Sequence, residues 1–164
     1  MIHDSCNKTY DRFLGALSKV LTKAEAHCTA KKIAPEAMLT FRLFPDMFPL
    51  IRQVQLTCDF AARAAARLAG EEPKSFPDTE TSFAELQTRI QAARGYVASF
   101  TADRYQGAET RAITLKMRGQ DMTMSGSDYL NLYSLPQFYF HMATAYNILR
   151  HNGVELGKPD YMGA

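Results

Sequence analysis

Pro136-Gln-Phe-Tyr-Phe-His141-Met-Ala-Thr-Ala-Tyr-Asn-Ile-Leu-Arg150-His-Asn-Gly153-Val-Glu-Leu-Gly-Lys-Pro-Asp-Tyr161 decides the architecture of this chain. The stretch reads as an aromatic helix with one histidine, His141, on its inner side, and Asn152-Gly153 stops it. A bundle helix of this kind can turn metal ligands inward, yet a competent site needs three protein ligands and His141 is the only strong one in the segment. It therefore defines an architecture and a candidate pocket, and leaves the reaction open.

Outward from this helix, four segments carry the 3.6-residue apolar period and cover most of the chain, which predicts an all-α fold class. The first covers about residues 4–28, with Cys6, Tyr10, Phe13, Leu17 and Ala24 on one side. The second is expected over 47–69, capped by Asp46 and ended by Gly70. Its Arg52, Gln55, Asp59, Arg63 and Arg67 read as a solvated charge ladder, and Leu50, Val54, Thr57, Ala61, Ala65 and Leu68 as the packing stripe. Gln53 lies beside that stripe, so its amide is expected to point toward the interior or a cleft, where it needs a partner. The run Ala61-Ala62-Arg-Ala64-Ala65-Ala66 allows another helix to approach closely, either inside the bundle or at a dimer seam.

A polar linker, Glu71 to Glu80, leads to a third helix announced by the capping box Ser82-Phe-Ala-Glu85. Residues 112–117 and 122–124 alternate around Arg118-Gly-Gln-Asp121, which predicts a small β-hairpin before the last helix, with Gly119 in its turn. Ser127-Asp128 reads as a brief helical turn, and Ser134 with Pro136 as the entry to the final helix.

The 164 residues, 46% of them hydrophobic, suit one domain spanning 1–164. Cys6, Cys28 and Cys58 form no CxxC pair, which argues against a disulfide framework or a thiolate zinc site and for a reducing cytoplasmic setting. No leader pattern opens the chain and no apolar run nears the roughly 20 residues of a membrane span. The net charge of +2 is spread along the chain, so neither nucleic acid nor membrane is expected as a partner. No Gly-x-Ser-x-Gly setting or phosphate loop appears, His151 reads as a cation at a helix C-terminus, and His27-Cys28 lacks a third ligand.

Asn147-Ile-Leu-Arg150-His-Asn-Gly153-Val followed by Pro159-Asp-Tyr161, after helices and ribbon in this order, resembles the DinB/YfiT-like superfamily. Leu43-Phe-Pro45-Asp-Met47, Gln53-Val-Gln55, Ala66-Arg-Leu-Ala-Gly70, Leu135-Pro-Gln-Phe-Tyr-Phe-His141 and Gly153-Val-Glu-Leu-Gly-Lys-Pro-Asp-Tyr161 are similar to a bacterial branch of it, a domain of unknown function. The resemblance implies a homodimeric four-helix bundle whose better-known relatives hold a divalent metal with three histidines. One comes from the second helix and two, four residues apart, from the last. His141 matches the second of the last pair, Gln137 stands at the first, and the second-helix position falls at Gln53 or Gln55. Amide oxygens are poor zinc or nickel ligands, so no firmly held cofactor is expected and any divalent metal would bind weakly.

Three readings of the cluster stand side by side. Gln53, Gln137 and His141 form a buried hydrogen-bond network; or they hold an unusual metal with waters and Asp46 or another carboxylate; or they line a metal-free pocket, with Gln55 and Tyr146 in its wall, where His141 binds or protonates a small ligand. The functional expectation is a dimeric small-molecule-binding or interaction module with a degenerate metal site. Its alternative, by fold analogy, is a metal-dependent or His-assisted transferase or hydrolase acting on a small thiol-linked substrate.

Overall fold

Apolar side chains at Cys6, Tyr10, Leu14, Leu17, Leu21, Ala24 and Cys28 recur every three or four residues and all are buried, so one continuous stripe runs along α1 (Ile2–Lys31). The computed structural model describes residues 2–164; Met1 lies outside the described residues. A short α2 (Pro35–Leu39) turns the chain, and α3 (Leu50–Leu68), α4 (Phe83–Ala98) and α6 (Leu135–His151) complete the bundle. α3 packs on both α6 and α4, and α1 on α4, so the order around the bundle is α1, α4, α3, α6. Tyr10 of α1 meets Phe138 of α6 edge-on at 4.9 Å and closes the ring.

The second long helix starts later than its sequence suggests. Pro49 disfavours helical backbone at Phe48, so α3 begins at Leu50 with Pro49 extended (φ −69, ψ 165), and Asp46 does not cap it. Gly70, at φ +80, ends it: Glu71 N–H bonds Ala66 O at 2.9 Å and Gly70 N–H bonds Arg67 O at 3.0 Å, a Schellman pair. Ala61, Ala62, Ala64, Ala65 and Ala66 are fully buried within the chain's own bundle, so this small-residue run serves internal packing and offers no dimer seam.

The expected solvated ladder on α3 is largely covered. Gln55 and Asp59 are buried because the segment between α3 and α4 lies over them, held by Arg89 of α4, itself only 3% exposed. Arg89 Nη2 donates to Asp59 Oδ1 at 2.6 Å and contacts Asp78 Oδ1 at 3.0 Å, while Nη1 donates to Glu80 Oε1 and to Pro77 O, each at 3.0 Å. Gln55 donates to Glu80 at 2.8 Å. At the start of α4 the Ser82 hydroxyl accepts from Glu85 N–H at 3.2 Å, as the capping box requires; the Glu85 carboxylate, however, takes Thr81 N–H.

β1 (Ala112–Met117) and β2 (Gln120–Ser125) form the expected antiparallel hairpin, with Met117 opposite Gln120. Arg118 (φ 50) and Gly119 (φ 81) are both left-handed, the requirement of a two-residue type I′ turn. Ile113 and Leu115 face the core. Beyond the hairpin, α5 (Gly126–Asp128) runs through a π-helical stretch, Tyr129–Ser134, into α6 without a break. Ser134 is helical and caps nothing, so the last helix begins well before the Ser134–Pro136 signal. Pro136 has no N–H to give the ladder, and the helix widens just ahead of it. Tyr10 donates to Ser134 Oγ at 2.9 Å, and Ser134 donates to Phe60 O at 3.3 Å, which binds this stretch to α1 and α3.

A last short helix, α7 (Lys158–Met162), ties the C-terminal segment back onto α1. The Asp160 carboxylate accepts from Gly157 N–H at 2.8 Å and Lys23 Nζ at 2.6 Å, and Tyr161 packs against Phe13 and Tyr146, each at 5.7 Å. The Pro159-Asp-Tyr161 motif is thus a fastening. All three cysteines are free and buried, and among the described residues no helix is long and apolar enough to cross a membrane.

Gly126 stands where backbone meets backbone: a Cβ there would overlap the Ala108 carbonyl oxygen and press on Leu68. No side-chain rotation relieves such an overlap. Gly126→Ala is expected to cost about 3 kcal/mol, in the upper range for overpacking, as read from urea denaturation, whereas Gly95→Ala, with open space around it, should stabilise α4 by up to about 1 kcal/mol.

Candidate functional site

Gln53 and His141 meet across the α3–α6 contact. Gln53 is 1% exposed and His141 7%, and His141 Nδ1 lies 2.8 Å from Gln53 Oε1. The direction of this bond follows from the amide's other end: Gln53 Nε2 donates to Phe48 O at 3.0 Å, so Oε1 accepts and His141 Nδ1 carries the proton. The neutral ring then presents Nε2 as an acceptor. Nε2 has no partner among the described residues, and Arg89 Nε is the only sealed side-chain N or O atom among them without one, so Nε2 keeps contact with solvent.

Aromatic rings wall the imidazole. Phe60 stacks on it at 5.6 Å and 13°, and Phe140 meets it edge-on at 5.2 Å and 84°. Burial among these rings, helped by the nearby Arg52 charge, pulls the His141 pKa down to about 4. Arg52 stands over the Phe48 ring at 5.9 Å, and Phe48 and Phe140 are 53% and 58% exposed, so the histidine sits at the bottom of an aromatic surface.

Among the described residues, none of the remaining sequence candidates hydrogen-bonds to this pair. Gln137 is half-buried without a hydrogen bond, lining a shallow 260 Å³ cleft with Leu132, Tyr133, Pro136 and Phe140. Gln55 turns the other way, to Glu80, and Tyr146 faces Tyr161. Asp46 is exposed in the loop before α3. Phe60 and Arg52 went unread as site residues; the first lies seven positions after Gln53 on the same helical face, a spacing that could have found it.

A three-histidine metal does not fit these residues. One imidazole is present, its Nδ1 donates to the very amide oxygen that would have to serve as second ligand, and among the described residues no three His, Cys, Asp or Glu side chains converge. The arrangement can accept a hydrogen bond at Nε2 and offer aromatic contact around it.

The family model for a domain of unknown function, DUF1993, matches residues 2–162. A similar solved structure is the crystal structure, at 1.83 Å, of a DinB family member protein from Shewanella denitrificans: 39% identical, with a TM-score of 0.94, covering 100% of this chain and 93% of that one. Comparison with curated proteins finds no match. With bundle, hairpin and motif order all in agreement, the chain belongs to the DUF1993 family, a branch of the DinB-like superfamily.

Proposed function

We propose that this protein is a metal-independent, dimeric small-molecule-binding module whose pocket is centred on His141. The supporting observation is the 2.8 Å bond from His141 to Gln53, anchored in turn on Phe48 O, which fixes a neutral imidazole with Nε2 outward. Such a ring recognises a hydrogen-bond donor. As a general base it is poorly matched, since efficient proton transfer wants a pKa near the working pH and this one is about 4. A thiol nucleophile is equally ill placed, because burial pushes Cys6 and Cys58 up to about 12. The transferase or hydrolase alternative thus lacks an activated group. Three buried free thiols agree with a cytoplasmic setting. Leu132, 74% exposed in the Tyr129–Ser134 stretch ahead of α6, supplies apolar surface for a second copy.

The pH dependence of stability tests the neutral imidazole. An unfolded histidine titrates near 6.5 and the folded one at about 4, so between these values the unfolded chain binds more protons and stability falls as pH falls. Full stability from this group is present above pH 6.5, and roughly 3 kcal/mol disappears on the way to pH 4. His141→Gln should flatten that part of the curve in denaturation experiments, and the ring's NMR titration should show Nδ1 protonated at pH 7. A ring titrating near 6.5 would overturn the proposal.

Zinc and nickel titration of untagged protein should give no stoichiometric uptake, while thermal-shift screening should find small molecules that raise Tm by several degrees in the native chain and not in His141→Ala. Tight equimolar metal binding lost in His141→Ala would reverse the reading. Sedimentation should show a dimer at micromolar concentration, and Leu132→Glu should yield a folded monomer; a native monomer ends the dimer proposal.

A further inference from the structure

Arg52 is held at one end and open at the other. Its Nη1 donates to Gln55 Oε1 at 3.2 Å and to Asp78 Oδ2, and its guanidinium rests over Phe48. Nε and Nη2 have no acceptor among the described residues, and neither is a sealed atom, so both reach solvent. This Nε–Nη2 edge is one that grips a carboxylate with two parallel hydrogen bonds, and the Nη1 bonds fix its direction in advance. Charge around it is balanced: Arg52, Arg63 and Arg89 face Asp59, Asp78 and Glu80 in one network. Asp78 is shared with Arg89, so the Arg52 positive charge is only partly spent on it.

Next to Arg52 along α3, Gln53 holds the neutral His141; the half-exposed Phe140 ring meets the imidazole, and the half-exposed Phe48 ring lies under Arg52. Arg52 stands over the ring of Phe48, whose carbonyl anchors Gln53, and its charge acts on His141, so a cationic fork, a hydrogen-bond acceptor and aromatic side chains are neighbours. We propose that the pocket binds a small planar organic acid, its carboxylate on the Nε–Nη2 edge of Arg52 and a hydroxyl or amine of the same molecule donating to His141 Nε2. This rests on the small-molecule-binding reading above and names the ligand class for it. Because His141 stays neutral across this range, affinity is flat from pH 5.5 to 8 for an acid ionised throughout. A protonated histidine acting as the anion's partner would instead strengthen binding toward acid.

The probes are 4-hydroxybenzoate, benzoate and 4-hydroxybenzyl alcohol, titrated into the native protein while the His141 ring signals are followed by NMR. 4-Hydroxybenzoate is expected to bind most tightly, with at least about a tenfold loss on removing either its carboxylate or its hydroxyl. Arg52→Gln should remove the advantage of the acid over the alcohol and leave that of the hydroxyl. Arg52→Lys, which keeps the charge without the fork, should recover only part of it, and unchanged thermal unfolding of both variants shows that the fold is intact. Equal binding of acid and alcohol at His141 would overturn the carboxylate assignment while leaving the pocket reading in place. Failure of all three probes to perturb the His141 ring at millimolar concentration would overturn both.

Discussion

The ion pair between Asp59 and Arg89 is the constraint on which the rest of the arrangement depends. Both side chains are almost wholly buried, so each has lost several kcal/mol of hydration that their mutual attraction must recover, and such a pair draws on further hydrogen bonds to do so. Pro77 O, Asp78 and Glu80 supply these to Nη1 and Nη2, and Nε alone is left without a partner among the described residues. To do so the segment between α3 and α4 has to lie across both helices, and once it lies there it covers Gln55 and aligns Asp78 with Arg52. The geometry of the α3 face is thus dictated by the solvation needs of one guanidinium.

Burial first, and then the charge layout around α3, set the state of the histidine. Asp59, Asp78 and Glu80 are gathered on the Arg89 side of α3, and the charge that acts on His141 is the like-signed Arg52. With desolvation and a cation both opposing protonation, the imidazole is neutral, and the amide of Gln53 is a sufficient partner for a neutral ring where a carboxylate would have raised its pKa. Gln53 and Gln55, two residues apart on one helix, therefore serve opposite sides of it: one fixes a tautomer, the other completes an ionic network.

The helices were legible because an apolar stripe records burial directly, as from Cys6 to Cys28 in α1, and the hairpin because Gly119 marks a turn that needs positive φ. The inward amide of Gln53 and the inner face of His141 were legible for the same reason, as polar residues bordering apolar stripes. The start of α3 was misplaced because the helix-capping chemistry of Asp46 was weighed without the restriction that Pro49 puts on Phe48. The α3 ladder was misread because charges at helical spacing look alike whether water or a folded-back linker faces them; only the burial of Arg89 on another helix distinguishes the two. Arg52 belonged to that ladder and so was not assigned to the pocket.

A bundle seeking stability alone has little use for the Gln53–His141 pair. Two apolar side chains of matching volume, packed beneath Phe60 and Phe140, would remove surface from water without desolvating an amide and an imidazole, and one hydrogen bond returns only about 1 kcal/mol net. The pair is also not sealed, since Nε2 still reaches solvent, where a residue concerned only with packing would be closed over. What the pair achieves instead is a fixed tautomer, an acceptor of known direction and a charge that does not change across the physiological range. Those properties suit the recognition role proposed above, and at the second-helix position an amide holds the histidine by a hydrogen bond.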